Sequence, residues 1–191
     1  PAHPVYLEDF RISSRLVTQG EYLEFVEAKG YDSPEHWLSD GWNAAHTRGW
    51  NAPLYWERRE GQWWQMTLSG MIPVDEEAPV CHLSFYEADA FARWKGCRLP
   101  TEEEWEVAAS RVPIHGNFLE DQAYRPLKAN EIGSGPKPLQ LWGDAWEWTA
   151  SPYRPYPGFK AHEGVISEYN GKFMCNQMTL RGGSCATPRS H

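Results

Sequence analysis

Three helix starts in this sequence carry the same pattern, a Ser or Thr followed three residues later by Glu. The pairs are Thr18 with Glu21, Ser84 with Glu87, and Thr101 with Glu104. In such a pair the two side chains satisfy free backbone N–H groups of the first helical turn reciprocally. The first two helices are expected to end at Lys29-Gly30 and Lys95-Gly96, where glycine readily adopts a left-handed cap conformation.

Strand signals are short and do not alternate with the helices, as a parallel sheet would require. They cover residues 5–13, a hairpin within residues 53–68 that turns at Glu60-Gly61, and residues 177–184. A helical turn is expected after Ser33-Pro34, and residues 119–140 read as a polar surface loop. With 16 glycines and 15 prolines among 191 residues, the prediction is one α+β domain with much irregular loop.

Charge and cysteine spacing exclude several classes of protein. The net charge is -8 and the Lys and Arg residues are dispersed, which argues against nucleic-acid and membrane partners. No apolar run reaches the length of a membrane span, so a soluble, cytoplasmic protein is expected. None of the four cysteines forms a Cys-x-x-Cys pair, which argues against a zinc ribbon; they are expected to be reduced and structural, and are Cys81, Cys97, Cys175 and Cys185.

Three segments in a fixed order carry a family resemblance: "GCRLPTEEEWEVAA", "LWGDAWEWTASPY" and "LRGGSCATPR". Together they resemble the formylglycine-generating-enzyme/sulfatase-modifying-factor domain, which implies a C-type-lectin-like fold. The segments "SPYRPYPGF" and "SEYNGKFMCNQMTLRGGSCATPRSH" look most similar to the ergothioneine-biosynthesis sulfoxide synthases of the EgtB type. That resemblance implies an iron(II)- and oxygen-dependent enzyme that joins a cysteine-type thiol, free cysteine or γ-glutamylcysteine, to trimethylhistidine (hercynine) through a C–S bond.

The same resemblance implies that residues 1–191 are one domain of a larger protein. It would lack an N-terminal DinB-like helical domain, which supplies the iron histidines, and its own last strands. The seven histidines of this chain agree with that expectation, because no two of them lie three or four positions apart on one helix face. No iron ligand is therefore assigned within this sequence.

The segment "LWGDAWEWTASPYRPYPGF" is predicted to be a loop that is rich in aromatic residues. Trp142, Trp146 and Trp148 are expected to fill the core. Asp144 and Glu147 could coordinate a structural calcium ion, as the corresponding segment does in some relatives.

Tyr153 and Tyr156 lie farther along this segment, between prolines that fix the backbone and remove N–H donors. A stiff loop would hold their hydroxyl groups in place. The resemblance implies a catalytic proton donor, and we assign this role to Tyr153 and substrate binding to Tyr156. The alternative is that both tyrosines only cover the core.

The "RGGS" segment offers two further candidates. Gly182-Gly183 is expected to allow a close approach of two backbone segments. Arg181 and Arg189 could each pair with a substrate carboxylate, for which a planar guanidinium is well suited.

Three other functions fit parts of the sequence. In a formylglycine-generating oxidase a thiol pair follows "RGGS" and binds copper, but Thr187 stands where the first thiol is expected, and Cys185 comes two positions early. A non-catalytic lectin-like binding module would have the same fold. The histidine–cysteine sulfoxide synthases of ovothiol synthesis are a third alternative.

Overall fold

The computed structural model describes residues 3–132, 138–168 and 174–191. Its α-helices are α1 (Gln19–Glu27), α2 (Ser39–Arg48), α3 (Phe85–Trp94), α4 (Glu102–Ala109) and α5 (Ala129–Ile132). Its strands are β1 (Trp56–Arg59), β2 (Gln62–Thr67), β3 (Gly70–Pro73), β4 (Glu147–Pro152) and β5 (Met178–Arg181). Within the described ranges, short 3-10 turns accompany them at Gly30–Asp32, Pro34–His36, Leu119–Asp121 and Val165–Glu168. The predicted α+β class is confirmed.

All three predicted helix starts are confirmed, because each pair makes both of its reciprocal hydrogen bonds. The end of α3 is also confirmed, with Gly96 in the left-handed conformation at φ 70°. The end of α1 differs from the prediction, since Lys29 takes the left-handed conformation and Gly30 begins a 3-10 turn. Gly30 is needed there for space, because a Cβ atom would lie 2.0 Å from the Phe25 ring.

One predicted strand is absent, and one helix was not predicted. Residues 5–13 form no strand; Tyr6 is 86% exposed, whereas Ile12 packs against the buried cluster around Trp105. Helix α2 was missed because its N-cap residue, Leu38, offers no side-chain hydrogen bond to signal a start. In the stretch predicted as a polar loop, the 3-10 turn Leu119–Asp121 and the short α5 break the connection, and residues 133–137 lie outside the described ranges.

The strands form two small antiparallel sheets. In the first, with order β1-β2-β3, the predicted hairpin is confirmed, and Glu60 and Gly61 both have positive φ, as a tight two-residue turn requires. In the second, β4 pairs with β5, with Glu147 opposite Arg181 and Pro152 opposite Met178. Strand β4 therefore lies inside the segment that was predicted to be loop.

Two aromatic clusters form the core. The first contains Tyr22, Phe25, Tyr31, Trp37, Ala45, Ala90 and Phe91, and the second contains Trp105, Ala109 and Leu141. A fully buried aromatic side chain removes on the order of 150–250 Å² from water, worth about 4–6 kcal/mol as an upper estimate. The second cluster underlies the β4–β5 sheet through Trp105, which is 1% exposed. Within the described ranges, no helix combines the length and the apolar character that crossing a membrane would demand.

Candidate functional site

Of the three tryptophans in the aromatic segment, Trp142 packs against a core cluster, as predicted, and Trp148 is half-buried. Trp142 packs edge-to-face on Trp105, with ring centroids 5.2 Å apart. Trp148 donates its indole N–H to the backbone oxygen of Leu83 at 3.0 Å. The prediction was wrong for Trp146, which is 39% exposed and meets only the ring of His191 among the aromatic side chains described. It lies in the connection before β4, where its ring is not covered.

Tyr153 is the first residue after β4. Its backbone N–H donates to the oxygen of Gln177 at 2.9 Å, which anchors the start of the loop to the residue before β5. The side chain is 48% exposed, and its hydroxyl group makes no hydrogen bond to the described part of the chain. This hydroxyl group is therefore available to a ligand or to a docked domain.

Tyr156 is held against the first turn of α4. Its hydroxyl group donates to Glu102 Oε1 at 3.2 Å, and the backbone N–H of Glu102 donates to Ser151 Oγ at 2.9 Å. Partial burial and then the neighbouring Glu102 carboxylate raise the pKa of Tyr156. These contacts connect the proline-rich loop, through Tyr156, and the end of β4, through Ser151, to the first turn of α4.

Arg181 reaches the same carboxylate from the end of β5. Its guanidinium lies 3.5 Å from Glu102 Oε1 and donates to Glu106 Oε2 at 3.0 Å. The guanidinium carbon also lies 5.3 Å from the centre of the Trp105 ring, within range of a cation–π contact. The structure thus brings two of the predicted site residues, Tyr156 and Arg181, together around Glu102.

Arg189 lies in a different neighbourhood. Its guanidinium donates to both carboxylate oxygens of Asp121 at 3.2 and 3.0 Å, and its carbon lies 5.7 Å from the centre of the Phe118 ring. The backbone N–H of Phe118, and after it Arg189, lowers the pKa of Asp121. Both predicted arginines already have carboxylate partners, so a substrate carboxylate would have to compete with them.

The two glycines of the "RGGS" segment confirm the predicted close approach. Gly182 and Gly183 have φ values of 101° and 95°. A Cβ atom on Gly182 would lie 2.7 Å from the oxygen of Leu141, so a side chain does not fit. Arg181 is thereby held at the point where two backbone segments meet.

Sequence reasoning missed the role of three glutamates. Glu102 and Glu106 were given no role in the site, although their i, i+4 spacing places both on one helix face. Glu147 lies on β4 between two tryptophans, and its Oε1 atom is buried without a hydrogen-bond partner in the described ranges. Burial raises the pKa of Glu147 to about 8, and the nearby indole N–H of Trp105 opposes this without reaching hydrogen-bonding geometry.

The described residues do not fit a bound metal. Asp144 Oδ1 accepts hydrogen bonds from Asn117 Nδ2 at 2.8 Å and from the Leu127 N–H at 2.7 Å, so donors face it where a cation would lie. Within the described ranges no group of three or more His, Cys, Asp or Glu side chains is arranged to hold a metal ion. Iron therefore has no ligand set among the described residues.

The four cysteines are free, as predicted, but only two of them are partly buried. Cys97 and Cys175 are exposed, so the expectation that all four are structural was wrong for this pair. Burial raises the pKa of Cys81 to about 12 and also raises that of Cys185. Both shifts favour the protonated thiol over the thiolate that acts as a nucleophile.

Comparison with known proteins identifies the family. Residues 1–135 match the family model described as the sulfatase-modifying factor enzyme 1-like domain. The chain belongs to this family. It is 31% identical to the formylglycine-generating enzyme of Streptomyces coelicolor, over 96% of the chain and 70% of that protein.

Higher identities are found with two hercynine oxygenases. The chain is 37% identical to that of Mycolicibacterium smegmatis and 35% identical to that of Mycobacterium tuberculosis. Both matches cover 97% of the chain but 48% of the relative. The chain thus spans about half the length of these curated relatives.

Proposed function

We propose that this chain is the sulfatase-modifying-factor-like portion of a hercynine oxygenase, a sulfoxide synthase of ergothioneine biosynthesis. The observation that carries the proposal is the 34–37% identity to three hercynine oxygenases along 97% of the chain. The reaction would form a C–S bond between a cysteine-type thiol and the imidazole ring of trimethylhistidine and oxidise the sulfur. Iron(II) and oxygen would be required.

We propose that the iron ligands lie in a DinB-like helical domain that precedes residue 1 in the complete protein. The described residues of this chain do not fit an iron site, so no step is assigned here to the metal. The contribution of this chain is the proline-rich loop, with hydroxyl and guanidinium groups around it. The ring of His3, near the start of the chain, lies 5.6 Å from the ring of Tyr156. A domain that continues from this end would begin beside the loop.

Tyr153 is proposed as the proton donor. Its exposed hydroxyl group has no partner in the described ranges, while its backbone is fixed between Pro152 and the hydrogen bond to Gln177. A positioned hydroxyl group of this kind can donate a proton or a hydrogen bond at the reacting sulfur or oxygen without a large rearrangement.

Tyr156, Arg181 and Arg189 are proposed to bind the substrates. Arg181 is the stronger candidate because it shares the partner Glu102 with Tyr156. Tyr156 lies three positions after the proposed proton donor, Tyr153. A substrate carboxylate would have to displace Glu106, whose side chain is 67% exposed and whose ion pair with Arg181 is therefore easily broken. Arg189 would have to leave Asp121 in the same way.

The formylglycine-generating alternative is weaker on the chemistry of the thiols. At the position expected for the first copper ligand, Thr187 is 8% exposed, and its hydroxyl oxygen accepts from the Ser184 N–H at 3.0 Å. Cys185 has a pKa that burial raises, which disfavours the thiolate. The four free cysteines support a reducing compartment, and we propose the cytoplasm.

The experiment is product analysis of the complete protein supplied with trimethylhistidine, iron(II), oxygen, and either cysteine or γ-glutamylcysteine. We expect a C–S-linked sulfoxide by mass spectrometry with one of the two thiols. A protein that instead converts a peptide cysteine to formylglycine, or that gives no C–S product with either thiol, would overturn the proposal.

A further inference from the structure

A cleft of about 320 Å³ lies between the end of α1 and the β1–β2 hairpin. Its volume is at the lower end of the usual range for small-molecule sites. Val26 and Trp63 supply an apolar wall. Charged and amide side chains line much of the remainder, and they are Glu27, Lys29, Asp32, Asn51 and Arg58. None of the residues proposed to bind substrates or donate a proton lines this cleft.

The charged side chains of the cleft carry both signs. Lys29 and Arg58 are cationic and Glu27 and Asp32 are anionic, so the lining as a whole is neutral. Within the described ranges, the side chains of Lys29, Asp32 and Arg58 form no ion pair or hydrogen bond with another residue. By contrast, many basic side chains elsewhere on the surface have a carboxylate partner. Opposite charges therefore lie in one cleft without neutralising each other.

The aromatic ring of the cleft is held in a fixed orientation. The indole N–H of Trp63 donates to Glu27 Oε1 at 2.8 Å, and the guanidinium carbon of Arg58 lies 6.0 Å from the centre of the ring. Trp63 is half-buried, so part of its surface remains open to the cleft. The apolar wall is thus formed before a ligand arrives, which lowers the entropy cost of binding.

Lys29 has an unusual backbone conformation. Its φ of 59° and ψ of 37° are left-handed, and it follows the residue that caps the end of α1. Glycine is the usual residue at such a position because it has no Cβ atom. A lysine is therefore retained where glycine would be more stable, and its side chain lines the cleft. Backbone strain of this kind is concentrated at functional sites.

The charges and the apolar wall select one class of ligand. A carboxylate can accept hydrogen bonds from Lys29 or Arg58, and an ammonium group can donate to Asp32. A simple anion would be repelled by the two carboxylates, and a simple cation by the two basic groups. A molecule with both charges on neighbouring groups and an apolar side chain avoids both penalties. Free α-amino acids have this combination.

We propose that this cleft binds a free α-amino acid with an apolar or aromatic side chain. Its carboxylate lies at Lys29 and Arg58, its ammonium group lies at Asp32, and its side chain packs against Trp63. The inference goes beyond the proposed function and does not depend on it, because the cleft contains no proposed substrate-binding residue. The amino acid is a ligand in addition to the substrates.

The binding test uses calorimetry on the full-length protein with three probes that share a phenyl ring. L-Phenylalanine carries both charges, 3-phenylpropionate lacks the ammonium group, and phenethylamine lacks the carboxylate. We expect L-phenylalanine to bind roughly 3- to 10-fold more tightly than either of the other probes. Equal affinities for the three probes would indicate an apolar site and would overturn the inference. No detectable binding of L-phenylalanine at millimolar concentration would also overturn it.

Two charge variants assign the binding to this cleft, and both affect exposed residues, so neither should prevent folding. Arg58→Gln should weaken L-phenylalanine and 3-phenylpropionate roughly 3- to 10-fold and leave phenethylamine unchanged. Asp32→Asn should weaken L-phenylalanine and phenethylamine by a similar factor and leave 3-phenylpropionate unchanged. Arg11→Gln, at an exposed position outside the cleft, is the matched control and should leave all three affinities unchanged. Binding of L-phenylalanine that neither cleft variant weakens would place the ligand elsewhere and overturn the inference.

A third variant, Lys29→Gly, separates binding from folding. Because glycine adopts the left-handed conformation at a lower cost, thermal unfolding should move to a higher temperature. Affinity for L-phenylalanine and 3-phenylpropionate should fall roughly 3- to 10-fold in the same protein. Unchanged affinity for both probes would leave the carboxylate without its proposed partner and would overturn the inference. None of these measurements requires turnover, so a failure of the proposed function would leave their results unchanged.

Discussion

Replacing the buried carboxyl group of β4, Glu147→Gln, should make the protein more stable at neutral and alkaline pH. In the unfolded chain this carboxyl group ionises near 4.5, whereas burial raises its pKa in the folded protein to about 8. Between these two values the folded state holds a proton that the unfolded state has released. The free energy of unfolding therefore falls as pH rises through this interval, and it falls no further above the folded pKa.

The size of the effect follows from the width of the interval. Each pH unit costs about 1.4 kcal/mol, so the interval from 4.5 to about 8 amounts to about 5 kcal/mol if the group is wholly shielded. The Glu147 side chain is only partly buried as a whole, although its Oε1 is buried, so screening by water reduces the expected loss to about 2–5 kcal/mol. Glutamine does not titrate and should not show this loss.

The assay is urea unfolding of the wild-type chain and of Glu147→Gln at a series of pH values from 4.5 to 9. The difference in unfolding free energy should grow in favour of the variant up to about pH 8 and then become constant. Glu163→Gln, at an exposed position, is the control and should follow the wild type. A difference that stays constant within about 0.5 kcal/mol across the series would refute the buried, protonated state of Glu147.

Three further outcomes are expected. This chain without a preceding domain should not retain iron(II) at one equivalent by metal analysis; one equivalent bound to its own residues would contradict the two-domain proposal. Cys81→Ala should lower the free energy of unfolding by about 1–2 kcal/mol, and Cys97→Ser by less than about 0.5 kcal/mol. Both variants should keep the specific activity of the complete enzyme. Loss of turnover in a folded cysteine variant would instead favour thiol chemistry. Arg181→Lys and Arg189→Lys should each raise the KM for an amino-acid substrate roughly 3- to 10-fold with stability nearly unchanged, and an unchanged KM would remove that arginine from the site.

The local signals in the sequence predicted the helices better than the strands. The Ser/Thr and Glu pairs specify a start through hydrogen bonds within one turn, so Thr18, Ser84 and Thr101 could be assigned without knowing the fold. Strand β4 could not be assigned in this way, because it forms only by pairing with β5, which begins 26 positions after β4 ends. Aromatic residues in β4 then gave the appearance of an irregular loop.

For the candidate site, too, local sequence signals could be interpreted, whereas contacts between distant segments could not. The sequence identified Tyr153 and Tyr156 as residues of the right chemical type in a stiffened segment, and Arg181 in the separate "RGGS" segment. It did not identify their shared partner Glu102, because the contact crosses from α4 to two separate segments. The raised pKa of Glu147 was also beyond reach, since burial of a single carboxylate depends on how Trp105 and Gly182 pack around it.

The most direct measurement is the product ratio of Tyr153→Phe in the complete enzyme with thiol, trimethylhistidine, iron(II) and oxygen. The change removes one hydroxyl group that has no partner in the described ranges, so stability should shift little. Loss of a positioned proton donor should slow C–S bond formation by on the order of 10²–10⁴-fold and let oxidation of the thiol alone compete. Tyr156→Phe, the matched control on the same loop, should act on KM more than on the product ratio. A wild-type rate and product ratio in Tyr153→Phe would contradict the placement of this loop at the reacting centre.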